Sequence, residues 1–186
     1  MSKKKKILFI EGTSDKSNGD LSQGFYKLLR QELEGNMPKI AMANGKMHAI
    51  KKFKNSKSAF SFLLIDLDVS EELKEEQIME MGLQKQEDWV FFMVQEIEAW
   101  FMSQPNILDD YYHIDISSKL KGKQPKKIKK PSEELKNLTK HLPKKTYHKV
   151  RHAADLLQRL NAQKLRIDFK EFDRLIEKIL NPTDKK

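Results

Sequence analysis

Four short apolar runs, each followed by a polar stretch, dominate the first hundred residues. Lys5–Ile10 (KKILFI), Lys39–Ala43 (KIAMA), Ala59–Ile65 (AFSFLLI) and Trp89–Val94 (WVFFMV) have the length of strands rather than helices. Between the first two, Leu21–Leu33 places Leu21, Phe25, Leu28, Leu29 and Leu33 on one helical face, with Asp20 as a candidate N-cap. The stretch EGTSDKSNGD (residues 11–20) can only be a loop, and Asn44-Gly45 closes the second strand. Gly45–Lys54 spaces Met47, Ile50 and Phe53 three apart. Asp66–Met81 reads as an acidic helix with Glu71, Glu72, Glu75 and Glu76 on its polar side. Gln95–Met102 reads as a helix that stops before Pro105. Strand, loop and helix in repetition predict an α/β fold, a parallel sheet flanked by helices.

Beyond Pro105 the pattern changes. No strand-like run remains, and helices are expected at about Ser132–His141, Thr146–Leu160 and Asp168–Leu180, with prolines at 125, 131 and 143 between them. The chain therefore divides into an α/β core over 1–105 and a helical extension over 106–186 packed on it. At 186 residues this is one domain with an extension, long enough to bury a core without staples. There is no cysteine, which excludes a disulfide framework or a thiolate metal site and fits a cytoplasmic location. The basic tip of MSKKKKILFIEG precedes an apolar run too short for a signal peptide, and no later run reaches the ~18 apolar residues of a membrane span.

Charge divides the chain along the same line. From Lys119 to Arg151 twelve lysines and one arginine face only two acids, Glu133 and Glu134, an excess of eleven; the net charge of +9 leaves the remainder at −2. A localised basic segment is the footprint of a polyanion partner, because neutralised phosphates release their counterions. Lys119, Lys121, Lys123, Lys126, Lys127, Lys129, Lys130, Lys149 and Arg151 are the candidate contacts to nucleic acid. The plain alternative is a solvated lysine-rich surface. Neither this segment nor Lys3–Lys6 has interleaved aromatics, so contact with the phosphate backbone is expected rather than base stacking.

The acids cluster where chemistry is expected in such a fold. In open α/β sheets, functional groups collect beyond the carboxyl ends of the strands. Glu11 follows the first strand, and Asp66 and Asp68 follow the third at a spacing that puts both on one side of an extended chain. Three neighbouring carboxylates would repel unless a cation neutralised them, and Mg²⁺ (or Mn²⁺) binds through one or two carboxylates while keeping waters for a phosphate. Each acid also has a simpler role open to it: Asp68 as the cap of the following helix, Asp66 as a turn residue, Glu11 as a loop acid beside Gly12.

IEGTSDK after the first strand and LLIDLDV after the third resemble the glutamate-glycine and Asp-x-Asp motifs of the Toprim fold, found in topoisomerases, bacterial primases and the overcoming-lysogenization-defect nucleases. QEIEAWFMSQP (95–105), YHKVRHAADLLQRL (147–160) and FKEFDRLIEKI resemble the bacterial domain-of-unknown-function family 4276, placed in the Toprim-like superfamily. The resemblance implies a Mg²⁺-dependent nuclease or phosphodiester-transfer domain. In it Glu11 would act as a general acid or base and a metal ligand, and Asp66 and Asp68 as metal ligands. It also implies a possible ATPase partner and a role in anti-phage defence. The chain has no glycine-lysine phosphate loop of its own. Nor does it have room for the domain that supplies a topoisomerase tyrosine, so covalent strand passage is not expected.

Glu98, paired with Trp100 in the resembling segment, is a further catalytic candidate, as metal ligand or partner of a basic side chain; Glu96 and Glu98 could equally face solvent on a first helical turn. On Thr146–Leu160 the apolar face is Tyr147, Val150, Ala154 and Leu157, so Lys149 lies off that face and is free to reach the cleft and a scissile phosphate. His148 and His152, four apart, lack a third metal ligand and are expected to be exposed. A non-catalytic subunit that binds nucleic acid or an ATPase on the same scaffold is the competing expectation.

Overall fold

The computed structural model describes residues 4–13 and 20–183. Ser14–Gly19, most of the expected EGTSDKSNGD loop, and Lys3 of the basic tip lie outside the described residues.

All four expected strands form: β1 (Lys6–Glu11), β2 (Lys39–Ala43), β3 (Phe60–Asp66) and β4 (Val90–Met93). They make one parallel sheet in the order β2-β1-β3-β4. The fold is α/β, as the alternation predicts. α1 (Leu21–Leu33) connects β1 to β2, and its cap is the expected one, with Asp20 accepting the Gln23 N–H at 3.1 Å. α2 (Lys46–Lys54) connects β2 to β3. The first crossover moves outward from β1 to β2 and the second returns past β1 to β3. With right-handed crossovers, α1 and α2 therefore lie on opposite faces. The direction of winding reverses between β1 and β3, which opens a crevice at their carboxyl ends.

Two helix boundaries differ from expectation. The acidic helix does not start at Asp66: that residue ends β3, and a 3-10 turn (Glu71–Leu73) leads into α3 (Lys74–Glu80). The cause is pairing beyond the end of the sheet, where Leu67 N–H donates to Met93 C=O (3.0 Å) and Asp68 N–H to Gln95 C=O (2.8 Å). The same bonds keep Gln95 out of the next helix, so α4 runs only from Glu98 to Met102.

After Pro105 every described residue in regular structure is helical: α5 (Pro105–Tyr112), α6 (Ser117–Leu120), a 3-10 turn (Pro125–Lys127), α7 (Pro131–Thr139), α8 (Lys149–Arg159), α9 (Ala162–Asp168) and α10 (Lys170–Leu180). α5, α6 and α9 have no counterpart in the sequence expectation; Pro105 ends one helix and supplies the first turn of the next. α8 packs along α1, and α10 packs on β4 and α1. The α1–α8 approach is close because Gly24 has no side chain: a Cβ there would meet Ala154 O at 2.8 Å and Leu157 at 3.1 Å. One hydrophobic cluster, from Leu8 to Ile179, includes residues on both sides of Pro105. Among the described residues, no helix is long and apolar enough to cross a membrane.

Candidate active site

The crevice holds a cleft of about 370 Å³ lined by Glu11, Asp66, Lys149, Thr13, Asn44 and Ile97, among others. Glu11 is the last residue of β1 and Asp66 the last of β3, so the sheet itself fixes both carboxylates. Glu11 Oε2 accepts the backbone N–H of Asp66 at 3.1 Å. Asp66, only 4% exposed, accepts Ile97 N–H on Oδ1 (2.9 Å) and the Lys149 ammonium on Oδ2 (2.7 Å). Leu67 turns into the core, as expected from its place between two outward-facing acids.

Gly12 extends the strand end into the loop. Its φ of +148° is disfavoured for L side chains, and a Cβ would lie 2.6 Å from Leu21 and 2.8 Å from Met42. The glutamate-glycine pair thus has a backbone reason: glycine adopts this φ without strain where the chain leaves β1, while the Cβ contacts are with the flexible ends of Leu21 and Met42.

Glu98 and Lys149 arrive from opposite sides of Pro105, on α4 and α8. Glu98, the first residue of α4, is fully buried rather than solvent-facing. Its Oε1 accepts the Tyr147 hydroxyl at 2.6 Å, while Oε2 has no hydrogen-bond partner and lies 3.8 Å from Lys149 Nζ. Lys149, the first residue of α8, therefore reaches both Asp66 and Glu98. Glu96 does not face solvent freely either: its Oε2 accepts Ser132 N–H at 2.7 Å, in the first turn of α7.

The electrostatics follow from this packing. Burial, reinforced by Asp66, pushes the Glu11 carboxyl up to about 7, with Lys46 opposing the rise. Burial likewise pushes Glu98 up to about 7 against the pull of Lys149. Burial raises Asp66 too, again opposed by Lys149. For Lys149 burial acts downward, but Asp66, Glu98 and Glu11 outweigh it and hold the ammonium charged. Three carboxylates, Glu11, Asp66 and Glu98, thus meet at Lys149, with Lys46 also acting on Glu11, and each of the three is held above its ordinary value.

Asp68 does not converge with the other two acids. Its φ of +64° swings the side chain outward, where it is exposed and paired with Lys46. Among the described residues, no group of three histidines or acids is close enough to hold a metal ion. Tested against Mg²⁺, the donor set fits in part. Glu11 and Asp66 line the cleft, and one or two carboxylates suffice for an ion that keeps its waters. Asp68 fits no such role in this arrangement.

Two residues of the site were not singled out by sequence reasoning. Tyr147 carries a helical-face signal, and only its hydroxyl bond to Glu98 reveals its second role. Lys46 has no sequence signal beyond its position after Gly45. The histidine pair is a correction: His148 is exposed, but His152 is buried among Tyr111, Tyr112 and Tyr147 and bonds Tyr112 Oη through Nδ1 at 2.9 Å. The α8 face that packs inward is correspondingly His152, Ala153, Ala154, Leu156 and Leu157.

The remaining basic candidates lie outside the cleft. Lys119, Lys121, Lys123, Lys126, Lys127, Lys129, Lys130 and Arg151 are all exposed. Lys123 pairs with Glu134 (2.5 Å) and Lys130 with Glu133 (2.9 Å). Gln95 ties the segment to the end of β4: with its amide oriented by the surrounding hydrogen bonds, it donates to Lys129 C=O at 2.8 Å.

A family model described as Domain of unknown function (DUF4276) matches residues 10–180. The chain belongs to this family. The DUF4276 match covers both the strand-end acids and the helices that supply Glu98, Tyr147 and Lys149. No curated protein and no solved structure matches the chain.

Proposed function

We propose that the cleft is a phosphodiester-cleaving centre of Toprim-like type, acting on nucleic acid with Mg²⁺ or Mn²⁺. The observation that carries the reading is the pairing of Glu11 and Asp66 at the carboxyl ends of β1 and β3, with Lys149 at their side in one cleft. Glu11 and Asp66 would hold the metal, which supplies a polarised phosphoryl oxygen and a more acidic water. Lys149 sits where a cation can hold a non-bridging phosphate oxygen or offset charge developing on it. The Glu11 carboxyl, pushed up to about 7, is suited to take and return a proton at neutral pH. Glu98 and Tyr147 orient Lys149 from behind. The exposed lysines of Lys119–Lys130 and Arg151 would add sequence-independent backbone contacts. An ATPase partner and a place in anti-phage defence rest on the family resemblance alone.

The test is cleavage of labelled single- and double-stranded DNA and RNA with Mg²⁺ or Mn²⁺. Cutting that is lost in Asp66→Asn and in Glu11→Gln is expected; cutting that survives both would reject the site. A specific observation favours a second reading, a non-catalytic binding subunit: Lys149 and Lys46 already pair with Asp66 and Asp68. That reading expects salt-dependent nucleic-acid binding without cleavage under any metal.

A further inference from the structure

A second concavity lies away from the cleft, between α4, α6, the basic turn at Pro125–Lys127 and the α9–α10 junction, with a volume of about 780 Å³. That size is in the range of small-molecule sites. Its walls are of two kinds. Met102, Leu120 and Phe169 are almost fully buried and form an apolar floor, while Ile167 stands at the lip with 83% of its surface exposed. Lys121, Lys123 and Lys126 border the same space, against a single acid, Asp168. Lys123 is paired with Glu134, but among the described residues the ammonium groups of Lys121 and Lys126 have no ion-pair partner. A smaller lobe of about 350 Å³ continues past Lys126, Ile167 and Phe169 toward Glu71, Lys170 and Glu171.

We propose that this groove binds a small amphipathic anion: an apolar chain or ring ended by a carboxylate or a phosphate. The apolar body lies on the Met102–Leu120–Phe169 floor under Ile167, and the anionic end faces Lys121 and Lys126. Charge complementarity sets the orientation, because Lys121 and Lys126 border one side of the groove and its one lining acid, Asp168, stands beside Ile167 and Phe169. A bare phosphate chain would satisfy the lysines and leave the floor and Ile167 against water, whereas a neutral hydrocarbon would leave the lysines unused. The groove is separate from the proposed cleavage cleft, but Lys121 and Lys126 belong to the segment proposed to contact the nucleic-acid backbone, so the two uses of these lysines are tested against each other.

Trp100 provides the readout: it is fully buried, and its ring packs against Phe169 at 6.4 Å between centroids, directly under the floor. In full-length Trp89→Phe protein, in which Trp100 is the only tryptophan, decanoate and decyl phosphate are titrated below their critical micelle concentrations. The expected result is a saturable change in Trp100 emission with at least one of the two, the pair separating a carboxylate from a phosphate ligand. Decanol and inorganic phosphate are expected to bind at least tenfold more weakly. The double variant Lys121→Glu/Lys126→Glu should lose about tenfold in affinity, or about 1.4 kcal/mol, and Ile167→Asp a similar factor. All three substituted positions are exposed, and an unchanged far-UV circular dichroism spectrum verifies the fold. Equal binding of decanol and decanoate, or charge reversal without effect, overturns the proposal. So does an absence of any response to either amphiphile while the same charge reversal abolishes oligonucleotide binding, which assigns the lysines to nucleic acid instead.

Discussion

Two buried carboxylate clusters hold this molecule together in opposite ways. Glu171, on α10, accepts hydrogen bonds from Lys74 (2.9 Å), Arg174 (2.9 Å) and the Phe92 N–H (3.2 Å). Burial acts to raise its carboxyl, but the two cations and their hydrogen bonds outweigh it and hold it below the usual glutamate range. At the cleft, half-buried Glu11 and buried Asp66 and Glu98 have the Lys149 ammonium in common, with Lys46 acting on Glu11 as well, and all three are pushed upward. The same residue type is thus a fastener at the β4 edge of the sheet and a strained group at the β1–β3 crevice. The number of cations and N–H donors per carboxylate decides which. A cluster left undersupplied stores destabilisation, which is the usual condition of a working site.

The largest effect that can break this comparison is on activity. If the cleft cuts nucleic acid, Glu11→Gln or Asp66→Asn is expected to lower the cleavage rate on the order of 10³-fold, whereas Glu171→Gln leaves the rate per folded molecule unchanged. Gel-based cleavage kinetics separate the two. Next comes stability. Glu171→Gln removes the charge that Lys74 and Arg174 share and is expected to cost about 2–3 kcal/mol in urea unfolding at pH 8. Glu98→Gln moves the other way, stabilising by roughly 1–3 kcal/mol at the same pH, because an ionised group is relieved of its burial. A destabilised Glu98→Gln would break the contrast.

The pH dependence sharpens it. Glu11 and Glu98 titrate near 7 when folded and from a reference of 4.5 otherwise. Between those values the unfolded chain is the more ionised, so the native protein loses stability as pH rises from about 4.5 to 7 and levels off above. The advantage of Glu11→Gln and Glu98→Gln is therefore expected to grow across that window and to vanish below it. Glu171 has the opposite sign: its contribution is complete above 4.5 and is lost as pH falls through its lowered native value. Chemical denaturation of each variant from pH 4 to 8 measures both slopes. A smaller effect tests how α8 is held. Gly24→Ala pushes Ala154 O away and is expected to destabilise by about 1–3 kcal/mol, with a partial loss of any activity that depends on Lys149. Smallest of all, Lys130→Ala breaks an exposed pair with Glu133 and should leave the urea midpoint essentially unchanged.

The strands and the Glu11–Asp66 pair were legible in the sequence because both are local. Each acid follows an apolar run of strand length, and neighbouring parallel strands bring such ends together. Lys149 was legible through its position off the apolar face of its helix. The divergence of Asp68 was not, since it depends on an N–H bond to Gln95, 27 residues onward and past another strand. Glu171 gave no signal at all: on an amphipathic helix it reads as a surface acid, and only the packing of α10 against β4 buries it. His152 was misread for the same reason. Its polarity suited solvent, but the tyrosines that enclose it come from α5 and from the residue before α8's N-cap, and no local pattern shows them together.

The order of synthesis gives the Lys149–Asp66 contact a consequence of its own. The partners are 83 residues apart, and Lys149 stands at the start of a helix that packs on α1 from the far half of the chain. At about 5–20 residues per second, Asp66 leaves the ribosome roughly 4–17 s before its ammonium partner does. During that interval the nascent sheet can assemble with its strand-end carboxylates repelling one another. The last third of the chain then does more than cover the core: its arrival supplies the counter-charge that completes the cleft.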